Sequence, residues 1–128
     1  MLGDLPRAVD RAVASGELPR EDRDRTLAFL EAEIASVAAR GWFAESGIEV
    51  LNEAPLLGAD GAEVRPDRVV LRPDGSAAVV DYKFGQPEKK YLDQVRGYMD
   101  LYRALGHNPV TGTLWYIREN GEDEFVEV

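Results

Sequence analysis

The chain has 128 residues, 45% hydrophobic and 30% charged, which is the composition of one soluble globular domain. It has no cysteine, which excludes disulfides and thiolate metal sites, and no apolar run long enough to span a membrane, so we expect a cytoplasmic protein. The 15 basic and 24 acidic residues leave a formal net charge of −9, which counts against strong free-standing binding to nucleic acid because phosphate contacts need basic surface.

The first part of the chain is predicted to be helical. One helix runs from Asp4 to Ser15, and a second, with apolar residues at helical spacing, runs from Glu21 to Arg40. We expect one domain over residues 1–128, with a helical part over 1–46 and a core over 47–128.

Strands dominate the predicted core. Three come first: Ile48–Leu57, interrupted by Glu53 and Pro55, then Glu63–Leu71 and Ala77–Phe84. A helix over Glu88–Leu105 follows, and then the strands Val110–Ile117 and Glu124–Val128, joined by an Asn120-Gly121 turn. Strand hairpins combined with a crossover helix predict an α/β fold, with a central mixed sheet flanked by helices.

The register of one hairpin decides whether two acids meet. If the turn after Arg72 is a three-residue loop, Pro73 to Gly75, then Asp67 lies opposite Asp81, with Cβ atoms about 5 Å apart. Lys83 shares the face of Asp81 because strand side chains alternate. A two-residue loop would break this pairing.

Two adjacent carboxylates beside a lysine suit metal-assisted hydrolysis of a phosphodiester. Asp67 and Asp81 would repel each other unless a cation lies between them, and oxygen ligands favour Mg²⁺ or Mn²⁺. The backbone carbonyl of Tyr82 could complete the metal shell, and Lys83 could neutralise charge on the phosphate or orient the attacking water. The alternative is an ordinary salt-bridge network.

Gln94 and Tyr98 lie one helical turn apart and share a helix face. An amide and a phenol can both bond to phosphate or to base edges. The alternative is that Tyr98 is a core aromatic and Gln94 is solvated.

These motifs resemble the PD-(D/E)XK nuclease superfamily. The order Glu53, Arg65-Pro66-Asp67-Arg68, Asp81-Tyr82-Lys83 and Gln94-x-x-x-Tyr98 is similar to the RecB-type nuclease domain of AddA-like and UvrD-like helicase–nucleases. The resemblance implies a restriction-endonuclease-like core and Mg²⁺-dependent cleavage of DNA, as an exonuclease in double-strand-break repair and recombination, beside a helicase domain in the same or a partner chain.

The resemblance also assigns roles. It implies metal ligation by Asp67 and Asp81, with Glu53 as a further acid, and catalysis by Asp67, Asp81 and Lys83. Gln94 and Tyr98, with Arg68, would contact DNA or support the site.

One feature departs from the RecB-type pattern. Such domains usually carry a metal-binding histidine on an upstream helix, but the single histidine here is His107. The simplest explanation is a fragment of a longer helicase–nuclease, weakly active or inactive in isolation. If the chain is instead a complete protein, it uses a variant site without that histidine. The competing hypotheses are a non-catalytic nuclease-like module that binds DNA or a helicase partner, and a standalone restriction-type or CRISPR-associated nuclease.

Overall fold

A computed structural model describes residues 4–34, 48–58, 60–117 and 123–128. Within these residues, the helices are α1 (Asp4–Ala14), α2 (Arg23–Ile34), preceded by a 3-10 turn at Arg20–Asp22, and α3 (Lys89–Ala104). The strands are β1 (Glu49–Asn52), β2 (Leu56–Leu57), β3 (Glu63–Val64), β4 (Arg68–Leu71), β5 (Ala77–Lys83), β6 (Val110–Tyr116) and β7 (Glu124–Glu127). None of the helices in these ranges combines the length and hydropathy of a membrane span.

The main sheet has five strands in the order β1-β4-β5-β6-β7. Its pairs are antiparallel except for β5 and β6, which run parallel because α3 carries the chain across the sheet between them. Strands β2 and β3 form a separate hairpin. The predicted mixed sheet flanked by helices is confirmed.

Helices cover both faces of this sheet. On one face, Val80, Tyr82 and Trp115 pack in a cluster with residues of α1 and α2. On the other, Val79 and Leu114 pack with Val95 and Met99 of α3. This explains why β5 is buried over nearly its whole length and has the near-continuous apolar sequence of a strand covered twice.

The predicted hairpin register is confirmed. Arg68 pairs with Val80 and Leu71 with Ala77, and the Arg72 N–H donates to the Ser76 carbonyl at 3.0 Å, which closes a three-residue loop. Gly75 has a φ of 92°, a conformation that glycine adopts without strain. Asp67, one residue before β4, is therefore brought to Asp81.

Two predicted strands are interrupted. The prediction of one strand over Glu63–Leu71 was wrong, because β3 pairs with β2 in the separate hairpin and β4 belongs to the main sheet, and Arg65, Pro66 and Asp67 connect the two. Pro66 has no N–H to donate to a ladder. The interruption predicted at Glu53 and Pro55 within Ile48–Leu57 is confirmed, because β1 ends at Asn52 and β2 begins at Leu56, and Glu53 has a φ of 51°.

The remaining elements agree closely with the predicted ones. Helix α1 stops one residue earlier than expected, and α3 is one residue shorter at each end. The last part of the predicted second helix, residues 35–40, and the Asn120-Gly121 turn lie outside the described residues.

Candidate active site

Where β4 and β5 begin to separate, the carboxylate oxygens of Asp67 and Asp81 accept the hydrogen bonds that backbone carbonyls accept elsewhere in the ladder. The Asp67 N–H donates to Asp81 Oδ1 at 2.9 Å, and the Tyr82 N–H donates to Asp67 Oδ2 at 2.9 Å. Each acid therefore has one oxygen fixed by the backbone of the other strand. The two side chains are nearly buried, with 11% of Asp67 and 4% of Asp81 exposed.

A cleft of about 230 Å³ opens at this end of the sheet, between α1 and α3. It contains the acids, the catalytic lysine predicted from sequence and residues of both helices. Its lining includes Ala8, Arg11, Ala12, Arg65, Asp67, Asp81, Tyr82, Lys83, Gln94 and Tyr98.

The two acids disturb each other electrostatically. Burial raises the pKa of the Asp81 carboxyl well above its usual range, and the negative charge of Asp67 acts in the same direction. The hydrogen bond from the Asp67 N–H and then the charges of Lys83 and Arg11 lower this pKa but do not cancel the increase. A further cation at this position would relieve the conflict.

Lys83 is held by three neighbours at the mouth of the cleft. Its Nζ lies 3.9 Å from Asp81 Oδ2 and donates to Gln94 Oε1 at 3.2 Å. It also lies 4.4 Å from the centre of the Tyr91 ring, a cation–π contact. The ammonium group therefore has a defined position although it belongs to a long side chain.

Gln94 and Tyr98 share a helix face and both reach the site. Tyr98 is 5% exposed and belongs to the core cluster under α3, yet it also lines the cleft. Burial, followed by the charges of Asp81 and Asp67, raises the pKa of its phenol, and a hydrogen bond from Gln94 acts against this increase. Gln94 therefore joins Lys83 to Tyr98.

Two residues predicted from sequence lie outside this cluster. Glu53 does not line the cleft and pairs with Arg11 at 3.2 Å and with Arg7 at 3.8 Å. Arg68 is 1% exposed and donates to Asn52. Because its side chain is buried, Arg68 is placed to support the sheet and not to contact DNA.

Sequence reasoning missed two residues of the site. Arg11 of α1 donates from Nη2 to Asp67 Oδ1 at 2.8 Å, across 56 positions of the chain. Tyr91 faces Lys83 one turn before Gln94. Tyr91 could have been predicted, because it lies three residues before Gln94 and so shares its face of α3. Nothing in the sequence predicts that α1 packs beside Asp67.

The sequence profile of the PD-(D/E)XK nuclease superfamily matches residues 3–128. The chain belongs to the PD-(D/E)XK nuclease superfamily. Proteins of this superfamily are typically nucleases and generally use divalent metal ions. No curated protein matches the chain.

Among solved structures, this superfamily member is similar to one described as a cryoEM structure of a DrdV–DNA complex. The match has 18% identity and a TM-score of 0.38 and covers 98% of this chain. The chain spans 12% of the length of that protein.

The donors of this nuclease-superfamily site fit a hard divalent cation. The hydrogen bonds between the strands use one oxygen of each acid, and the other oxygens, Asp67 Oδ1 and Asp81 Oδ2, face the cleft. Two carboxylates plus water are a usual Mg²⁺ environment. The N–H and C=O of one strand residue point to the same neighbouring strand, so the Tyr82 carbonyl is directed toward Asp67 as well. Within the described ranges, no third acid or histidine joins them in a cluster.

Proposed function

We propose that this chain is a metal-dependent deoxyribonuclease that hydrolyses phosphodiester bonds. The observation that carries the proposal is the cross-bonded pair of buried acids, Asp67 and Asp81, with Lys83 fixed beside them at one cleft. A pair of buried carboxylates is unfavourable for folding unless a cation compensates it, and a divalent cation at a phosphate is the compensation that this chemistry uses.

Each residue has a role in the proposed reaction. Asp67, Asp81 and the Tyr82 carbonyl would hold Mg²⁺ or Mn²⁺. When bound, the cation supplies a water of lowered pKa and offsets negative charge on the phosphate. Lys83 donates a hydrogen bond to the phosphate or orients the attacking water. The water oxygen forms a bond to phosphorus and releases its proton to solvent, while the bond between phosphorus and the leaving sugar oxygen breaks and that oxygen takes up a proton from solvent.

The hydrogen bonds of Gln94 give it and Tyr98 a supporting role. Gln94 accepts from Lys83 and bonds to Tyr98, and Tyr98 is packed under α3. The pair therefore holds the ammonium group toward Asp81 and away from solvent. Gln94, which is exposed, is the member that can also contact DNA.

We further propose that the domain belongs to the RecB branch and acts as an exonuclease in double-strand-break repair and recombination, beside a helicase, in the cytoplasm. The motif order from Asp81-Tyr82-Lys83 to Gln94-x-x-x-Tyr98 supports membership of the RecB branch. The net charge of −9 supports a helicase partner, since an acidic chain attracts DNA weakly by itself and would cut more readily if a helicase delivered the strand to it.

The test is cleavage of linear single- and double-stranded DNA in MgCl₂ or MnCl₂ by the wild type and by Lys83→Ala. We expect metal-dependent cutting, weak in the isolated chain, that Lys83→Ala reduces by about 100-fold or more. Lys89→Ala is the matched control, because Lys89 is 87% exposed and lies on the same helix as Gln94 but outside the cleft. Equal cutting by all three proteins would contradict the assigned site.

The second candidate is a non-catalytic module that binds DNA or a helicase. The ion pair between Arg11 and Asp67 favours it, because a guanidinium already compensates one of the acids. Stabilisation by Mn²⁺ that Asp81→Ala abolishes would favour the nuclease, while DNA binding without either metal binding or cleavage would favour the module.

A further inference from the structure

The two oxygens that face the cleft each have a cation of the protein beside them. Asp81 Oδ2 lies 3.9 Å from Lys83 Nζ, too far for a hydrogen bond. Asp67 Oδ1 accepts a hydrogen bond from Arg11 at 2.8 Å. A metal ion that uses both acids therefore meets competition at Asp67, and the competitor is Arg11.

Arg11 has the freedom to leave Asp67. Its side chain is 51% exposed, whereas that of Asp67 is 11% exposed. The Asp67 carboxylate keeps its other bond, to the Tyr82 N–H, whether or not Arg11 is present. Movement of the guanidinium therefore does not unfix the acid.

A second acid keeps Arg11 near the cleft. Its Nε lies 3.2 Å from Glu53 Oε1, and the Glu53 side chain is only 23% exposed. Glu53 is also held in place by its backbone, because its N–H donates to the Asp67 carbonyl at 3.2 Å. Its φ of 51° is uncommon for a residue with a side chain, and such residues concentrate at functional sites.

We propose that Arg11 neutralises Asp67 in the metal-free chain, yields Asp67 Oδ1 to an incoming divalent cation and then, still paired with Glu53, binds a phosphate oxygen of the substrate. A guanidinium is always charged, and its planar array of donors matches a phosphate. The phosphate step rests on the proposed function, whereas the exchange at Asp67 does not. Glu53 in this scheme positions Arg11.

The exchange is tested by titrating MnCl₂ into the wild type and into Arg11→Gln by calorimetry. Removing the competitor should tighten Mn²⁺ binding about fivefold. Arg7→Gln is the matched control, since Arg7 lies on the same helix, carries the same charge and pairs with Glu53 but has no contact with Asp67. It should change the affinity by less than about twofold, because its charge is exposed and screened.

Two results of this titration would overturn the exchange. One is an affinity of Arg11→Gln for Mn²⁺ that is no tighter than that of Arg7→Gln, since only general charge would then matter. The other is the absence of Mn²⁺ binding by both the wild type and Arg11→Gln. The circular dichroism spectrum of each variant is compared with that of the wild type, so that a loss of folding is not mistaken for either result.

The phosphate step is tested with a labelled oligonucleotide by fluorescence anisotropy, in a Lys83→Ala background in which cleavage is slow. With MnCl₂ present, adding Arg11→Gln should weaken binding about tenfold. In EDTA at matched ionic strength it should have little effect, because Asp67 then holds Arg11. Equal losses under both conditions, or none with Mn²⁺, would overturn this step. If the oligonucleotide does not bind at all, the proposed function fails with it, and the Mn²⁺ titration still decides the exchange.

Discussion

At the scale of the residue, the position of Lys83 depends on an aromatic ring that the sequence motif does not include. Tyr91 lies under the ammonium at 4.4 Å, and its hydroxyl is bonded to Glu88, a contact that raises the pKa of Tyr91 to about 12. The ring of Tyr91 therefore contacts Lys83 while its hydroxyl contacts Glu88, and substitutions can remove either contact separately.

We expect Tyr91→Leu to lower kcat about fivefold, from the loss of ~1 kcal/mol of cation–π attraction, with KM for DNA unchanged. Tyr91→Phe keeps the ring and should retain kcat, although it loses the bond to Glu88. Steady-state kinetics on one linear DNA substrate measures both variants. A higher KM with unchanged kcat in Tyr91→Leu would instead indicate that the ring stacks on a base.

At the scale of the element, α3 lies so close to the sheet that a side chain at one position of β6 would collide with it. A Cβ added at Gly112 would lie 2.8 Å from Val95 Cγ1 and 3.1 Å from Met99 Cγ. Tyr98, which bonds to Gln94, is next to Met99 on the same helix. The distance between α3 and the sheet thus also determines the positions of Gln94 and Tyr98, which hold Lys83.

Gly112→Ala should therefore lower the free energy of unfolding by ~1–3 kcal/mol, the usual effect of overpacking, as measured by urea denaturation. Gly97→Ala is the opposite control: it lies on the exposed face of α3 with no atom within 4 Å of an added Cβ. It should raise stability by ~0.5–1 kcal/mol because alanine favours a helix. Unchanged stability in Gly112→Ala would show that α3 can move away from the sheet.

The site was predictable where local chemistry determines it. Asp74-Gly75 specifies a tight turn, so the pairing that brings Asp67 to Asp81 followed from one loop length. The break at Pro66 was missed because the strand pattern was read across it. Arg11 was missed because its contact with Asp67 depends on how α1 docks, and no periodicity in the sequence describes docking.

At the scale of the whole molecule, the metal-free protein has an excess of negative charge overall and two repelling carboxylates in the buried part of the cleft. The net charge is −9, and the most buried acid of the cleft, Asp81, has a raised pKa because burial disfavours its charged form and Asp67 repels it. At pH values above the ordinary pKa of an Asp carboxyl, the stability of the metal-free chain should consequently depend on pH mainly through Asp81.

The sign follows from proton linkage. A carboxyl whose pKa is higher in the folded than in the unfolded state binds its proton more tightly when folded. The free energy of unfolding should therefore fall as the pH rises from the ordinary pKa of 3.8 through the raised pKa of Asp81, by at most about 1.4 kcal/mol per pH unit.

Asp81→Asn isolates this effect, because the amide oxygen can still accept from the Asp67 N–H but carries no charge. In EDTA, we expect the variant to gain stability over the wild type as the pH is raised from about 5 to about 8, as measured by urea denaturation at each pH. In MnCl₂ the order should reverse at the higher pH, because only the wild type keeps both carboxylate ligands. Parallel pH profiles of the two proteins in EDTA would mean that Asp81 is charged in the folded state without a metal, so that Arg11 and Lys83 alone compensate the acids.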